Sequence, residues 1–332
     1  MSWGAAMVAA LLIVLPRPGA WIVALSAFLV RGGLLVFLVP IVVLPSPVGI
    51  SNIVAPSVTA FWLGGWSLGL FAVAVAIFGA FFAWLVIGGW AAAVTERDLI
   101  ELVAADEELV GVAPARSGAP ARRRGRIWRI VVVRLACHIP LAVALGYGAL
   151  RIVETAYREL TLPSDVTTPI AWRVIGAVPD AVLGILAAWS FGEALGSLAA
   201  RRLVLWGQSV DGAYVGAWAD LLRRPLTSAA TFVAPTVALI LVSAPIVLAA
   251  GTVWDALRVE LAGPTTGDVP LVLATILAFV AIWSAGLLVA GILAAWRSAA
   301  WTAEVLRTRG TFGAVAGTRP GDFNGPEASG SV

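Results

Sequence analysis

Arg31, Arg134, His138 and Asp180 stand inside apolar runs long enough to cross a bilayer. An ionisable side chain is expensive there, so each is a functional candidate. Counted from the starts of their runs, Arg31, His138 and Asp180 fall about twelve, eleven and ten residues in. At ~1.5 Å per residue, all three come out near the midplane. Arg134 precedes His138 by one helical turn, and Glu193 lies further along the run that carries Asp180. The expected chemistry is a midplane cluster of Asp180, His138 and Arg31, with Arg134 near Glu193 below it, acting as a substrate or proton site. The plainer expectation is a structural pair in which Asp180 and Arg31 neutralise each other, with His138 a satisfied core histidine.

Other chemistries find less support. Cys137 is the one cysteine and His138 the one histidine, so neither a disulfide nor a zinc cluster is expected, and no cofactor is implied. The chain has no GxSxG, HExxH, P-loop or GxGxxG, which weighs against an enzyme. The net charge of +3 comes with arginine as the only basic residue type. Asymmetric loop charge in a membrane protein explains that excess without a nucleic-acid partner.

The positioning elements follow from composition. The chain is 60% hydrophobic and 12% charged, against about 25% charged in soluble domains. The apolar runs are continuous and near the ~20 residues of a spanning helix. The fold class is therefore all-α, a polytopic integral membrane protein with the lipid bilayer as its surroundings. Six spans are expected as three tandem helical hairpins, with short interfacial helices. Residues 1–18 form an N-terminal interfacial helix, stopped by Pro16 and Pro18. Hairpin 1 covers 19–94, with spans at about 19–44 and 60–93 joined by an uncharged loop at 45–56. Residues 95–126 hold an acidic helix, which Thr95 is placed to cap, and a basic mobile linker from 111. Hairpin 2 covers 127–207, with spans at about 127–150 and 170–196. Residues 208–225 form a second interfacial helix, in which Val210, Tyr214, Trp218 and Leu221 recur at helical spacing. Hairpin 3 covers 226–309, and 310–332 reads as a disordered tail.

Span 4 carries Gly176, Asp180, Gly184, Ala188, Gly192 and Gly196 every fourth residue, and span 3 carries Arg134, His138, Ala142 and Gly146 likewise. Small residues at that spacing allow close helix approach, so the two rows are natural partners. With both termini inside, most arginines face the cytoplasm, and only Arg151, Arg158, Arg173 and Arg258 face out. This sets the orientation in a bacterial cytoplasmic membrane. Two internal echoes support a repeat. One is an Arg-Pro entry with a Pro-Ile-Val exit, at Arg17-Pro18 with Pro40-Ile41-Val42 and again at Arg224-Pro225 with Pro245-Ile246-Val247. The other is a match of Glu159-Leu160, Pro163 and Pro169 to Glu260-Leu261, Pro264 and Pro270.

These entries and exits, the first short helix, and WRSAAWTAEVLRTRGTFG at 296–313 resemble a group of uncharacterised bacterial six-span membrane proteins. The pattern is also loosely similar to the membrane domain that precedes some glycerophosphodiester phosphodiesterases. No catalytic domain is read in the chain, so the resemblance implies neither that activity nor any site residue. The expected function is a non-enzymatic membrane component, transport-related or complex-forming, with other membrane subunits as partners. The alternatives are an intramembrane enzyme acting on lipid through Asp180 and His138, and a permease coupled to a cytoplasmic ATPase through residues 197–224.

Overall fold

The computed structural model describes residues 2–38, 68–105, 123–165, 170–262 and 269–316, with short pieces at 41, 56–57, 59–60, 63–65 and 167–168. Pro40 and Val42 of the first Pro-Ile-Val exit, the loop at 45–55, most of the basic linker, Pro169, Pro264 and the tail from 317 lie outside them. The described residues form helices and no strand, and six helices are long and apolar enough to cross a membrane.

Helix α1 (Trp3–Val14) is capped by Ser2, whose Oγ accepts from the Ala5 N–H. Pro18 opens α2 (Pro18–Phe28), in the first turn, where a missing N–H costs nothing. A π turn at Leu29–Gly33 interrupts the span before α3 (Leu34–Leu38). The described part of the acidic stretch, which was expected as a separate helix from Thr95, is instead the end of α4 (Leu68–Ala104). Thr95 does not cap it: its Oγ1 donates back to the Ala91 and Ala92 carbonyls. No Gly or Pro falls between 90 and 104, so nothing stops the helix.

Spans 3 and 4 are both broken, against expectation. Span 3 divides into α5 (Arg123–Cys137) and α6 (Ile139–Thr161) at His138. Pro140, in the first turn of α6, has no N–H to give the Ala136 carbonyl. Span 4 divides into α7 (Ile170–Ala177) and α8 (Pro179–Trp206) at Val178, again ahead of a proline. Helix α8 runs ten residues past the expected end of its span and stops at Gly207, φ 64°. In the α6–α7 connection the Thr168 hydroxyl, followed by the Thr167 N–H and hydroxyl, holds the Asp165 carboxyl below its usual range.

Helix α9 (Val210–Arg223) has the expected apolar face, with Val210, Tyr214, Trp218 and Leu221 packed on the core. Helix α10 (Pro225–Ala262) begins at Pro225 but passes through Pro235 and Pro245. The second Pro-Ile-Val therefore does not close a span. Spanning helices tolerate such prolines when neighbours satisfy the freed carbonyls. Helix α11 (Val269–Ala316) continues through Gly310, where a disordered tail was expected.

Two helices organise the packing. Helix α11 lies along α10, α2 and α1, and α8 lies against α5, α6 and α9. Two apolar cores result, and α4 joins them: Leu99 and Val103 enter one and Ala93 and Ile100 the other. Indole N–H groups pin α1 in place, Trp21 bonding to the Val14 carbonyl at 2.9 Å and Trp296 to the Met7 carbonyl at 3.0 Å. Trp3 reaches Thr231 on α10 at 2.9 Å. Between the two cores, at the end of the bundle that carries α1 and α9, lies a layer of buried charge.

Candidate functional site

Glu96 of α4 is the hub of that layer and is 4% exposed. Its carboxylate accepts from Arg31 Nη2 at 2.7 Å, Arg134 Nε at 2.8 Å and Arg201 Nη1 at 3.2 Å, with a further short bond from Arg134 Nη2. Arg31 reaches it because the π turn breaks the span. Gly32 takes φ 105° in that turn, a left-handed conformation natural to glycine and strained for other residues. Arg201 is 1% exposed. Its other N–H groups go to the Ser197 and Ser298 carbonyls, both at 2.8 Å, and to the Ser298 and Thr302 hydroxyls.

Glu193 of α8 makes the second centre. It accepts from Arg297 Nη2 at 2.5 Å and Arg134 Nη1 at 3.4 Å, and His138 Nε2 lies 3.4 Å from it. The break before Pro140 orients this imidazole. Its Nδ1 sits 2.8 Å from the Arg134 carbonyl, and its Nε2 faces Glu193. Close helix approach makes the contact possible: a methyl group at Gly192 would stand 3.0 Å from the Cys137 carbonyl and 3.1 Å from the His138 ring. At Gly196 it would meet Arg134 Nη1 at 3.3 Å.

The two centres share one cavity of about 130 Å³. All four arginines, both glutamates, Ser197 and Ser298 line it, and Phe28, Trp189, Leu239 and Trp301 supply apolar wall. A single water needs ~10–15 Å³ by the same kind of measure, so the space holds several waters or a small polyatomic ligand. Four guanidinium groups stand against two carboxylates, an excess of two positive charges among these six groups. No group of three or more His, Cys, Asp or Glu among the described residues is placed to hold a metal ion. The chemistry on offer is hydrogen-bond donation by cations.

Of the residues singled out from sequence, Arg31, Arg134, His138 and Glu193 come together. Asp180 does not join them. It lies twelve positions before Gly192 on α8, roughly 18 Å at ~1.5 Å per residue. There its Oδ2 accepts from the Tyr147 hydroxyl at 2.7 Å, with Arg151 Nε at 3.6 Å, and its side chain is 47% exposed. Pro179 starts α8 at that point, so Asp180 occupies the first turn of that helix. Neither the expected Asp180–Arg31 pair nor an Asp180–His138 pair is formed. The two small-residue rows do meet at Gly192 and Gly196, whereas Gly146, Gly176 and Gly184 face open space.

Glu96, Arg201 and Arg297 were not expected at the site. All three had been placed in polar segments flanking the membrane. A signal did exist for one: Glu193, Ser197 and Arg201 recur every fourth residue along α8, a polar stripe on a helix whose neighbouring turns are small and apolar.

Comparison of the chain with family models, with curated proteins and with solved structures gives no match. The functional reading therefore rests on the geometry of this charge layer.

Proposed function

We propose that the chain is an integral protein of the bacterial cytoplasmic membrane, with both termini in the cytoplasm and its spans arranged as three hairpins. In this reading it works as a non-enzymatic, transport-related component whose central cavity receives an anionic ligand. The observation that carries it is the cavity between α2, α4, α5, α8 and α11, walled by four arginines and only two carboxylates.

Buried charge of one sign is costly unless it is paired, and ionisable residues in spans mark ligand and ion paths. Two uncompensated cations around a cavity answer to a negatively charged occupant. Broken spans next to the site fit the same reading, since irregular backbone inside a membrane is tolerated where it lines a cavity. Here the break in span 1 carries Arg31 and the break in span 3 carries His138. The arginine-rich end is the cytoplasmic one under the positive-inside rule, which puts the cavity in the inner half of the bundle.

The test is purification from the native membrane in mild detergent, native mass spectrometry, and anion uptake by proteoliposomes. A bound acidic species or a stoichiometric membrane partner, with uptake abolished by R297Q, supports the reading. A co-purifying nucleotide-hydrolysing subunit would make the protein a permease component. A lone protein that transports nothing and turns over lipid would overturn the reading in favour of a lipid-acting enzyme.

A further inference from the structure

The four arginines of the cavity are not equivalent. Arg201 spends every nitrogen on protein acceptors, and Arg134 bonds to Glu96, Glu193 and Ser197. Arg31 donates once, to Glu96, and Arg297 once, to Glu193. A guanidinium has five N–H donors in a planar fork, so among the described residues these two keep most of theirs uncommitted. They are also the more open pair, at 29% and 20% side-chain exposure against 12% for Arg134 and 2% for Arg201. A third donor is unused. Trp301 lines the same cavity, is 1% exposed, and its buried Nε1 has no hydrogen-bond partner among the described residues. An orphaned buried donor is uncommon and costs free energy.

We propose that the cavity binds an oxyanion of the phosphate class, a free phosphate or a phosphate-monoester headgroup, gripped by Arg31 and Arg297 with the Trp301 N–H as a third donor. This rests on the anion-receiving reading above and names its ligand chemistry. Glu96 and Glu193 do not repel the ligand, because Arg134 and Arg201 cover them, and they hold the two open forks in position. An oxyanion suits this set better than a halide. Several oxygens on one centre accept from forks on different helices at once, and guanidinium geometry matches two oxygens of a phosphate. A doubly charged phosphate monoester also cancels the excess of two positive charges. The apolar wall at Phe28, Trp189 and Leu239 leaves room for an organic substituent on the ester oxygen.

The experiment uses the full chain in maltoside micelles, which contain no phosphate. Inorganic phosphate or phosphatidic acid is added, and binding is read from the unfolding midpoint and tryptophan fluorescence. Wild type is expected to bind one of the two; R31Q and R297Q each weaken binding about tenfold or more, the loss of one charge-assisted hydrogen bond. R129Q, on the exposed face of α5, leaves it unchanged. Binding of inorganic phosphate identifies a solute site, and binding of phosphatidic acid alone identifies a headgroup site. If R31Q or R297Q fails to fold, W301F decides, since it keeps an aromatic ring and removes only the donor's ring portion. A several-fold loss in folded W301F supports the site. No binding of either probe, or equal binding by folded wild type, R31Q and W301F, overturns the proposal. Anion uptake or a stoichiometric partner surviving that result would leave the broader reading intact. Phosphate binding without uptake or partner would remove the broader reading and keep the site.

Discussion

Replacing Glu96 with glutamine probes the charge layer at its hub. The carboxylate takes hydrogen bonds from three guanidinium groups, at 2.7 Å from Arg31, 2.8 Å from Arg134 and 3.2 Å from Arg201. Glutamine keeps one acceptor oxygen and turns an NH₂ toward groups that are themselves donors. It also leaves the four guanidinium groups, of which Arg201 is buried, with Glu193 as their one anion. Removing one partner of a buried pair costs about 3–5 kcal/mol, mostly the penalty of the charge left behind. Three such contacts do not add, because the survivors relax together, so the expected loss is about 3–5 kcal/mol rather than three times that. Reversible unfolding in mixed micelles, followed by tryptophan fluorescence, reads the change. Glu101→Gln on the same helix is the control: that side chain is 44% exposed and only 3.7 Å from Arg97, and no measurable change is expected. The second arm is E96Q/R31Q. If the damage in E96Q is an unpaired charge, removing Arg31 as well returns part of the lost stability. The reasoning is refuted if E96Q unfolds within about 1 kcal/mol of wild type, a value typical of exposed pairs, or if the two losses simply sum.

Three further outcomes follow from the same geometry. Gly192→Val places a branched side chain where a bare methyl already meets the Cys137 carbonyl at 3.0 Å. It is expected to cost about 1–3 kcal/mol as overpacking and to shift gel filtration toward aggregate, whereas Gly184→Ala, in open space, elutes as wild type. Gly32→Ala must hold φ 105° with a Cβ, a strain of about 1–3 kcal/mol, or straighten the π turn and withdraw Arg31. Either result lowers the unfolding midpoint, and only withdrawal also lowers anion binding. Asp180→Asn keeps an acceptor for the Tyr147 hydroxyl at the far end of α8 and is expected to leave ligand binding unchanged, while His138→Ala removes the Nε2 contact to Glu193 and weakens it. Equal loss of binding in both variants would reject the separation of the two ends.

How far the sequence led depends on which signal each residue carried. Apolar run length set the six helices that are long enough to span, because continuous hydrophobicity needs no tertiary information. The apolar face of α9 was legible from its spacing for the same reason. The small-residue row on α8 pointed to the right neighbour, and Gly192 and Gly196 do admit His138 and Arg134. Depth along a helix was not legible. Residues were counted from the assumed starts of unbroken spans, and the break at Val178 moves that start. Asp180 then falls in a first turn, and Glu193, Ser197 and Arg201 occupy the packed half of the helix. Pro140 and Pro179 were visible, but a proline inside an apolar run can kink a helix or restart it, and α10 passes through Pro235 and Pro245 unbroken. Tertiary packing makes the choice.

The residues missed altogether show a limit of reading charge by side. Orientation counting assigns an arginine beside a span to water, which treats Arg201 and Arg297 as markers of topology. That assignment assumes that the helix ends where its apolar run ends. Helices α4, α8 and α11 all run on past that point, and once they do so side by side their flanking charges face one another instead of solvent. Glu96 from α4 then meets Arg201 from α8, and Glu193 from α8 meets Arg297 from α11. One arginine-rich end thus supplies the donors that line the cavity and, in the proposed orientation, the charge asymmetry that sets topology. Neutralising Arg297 should accordingly cost ligand binding without inverting topology, because Arg223, Arg224 and the other arginines at that end remain to hold the orientation.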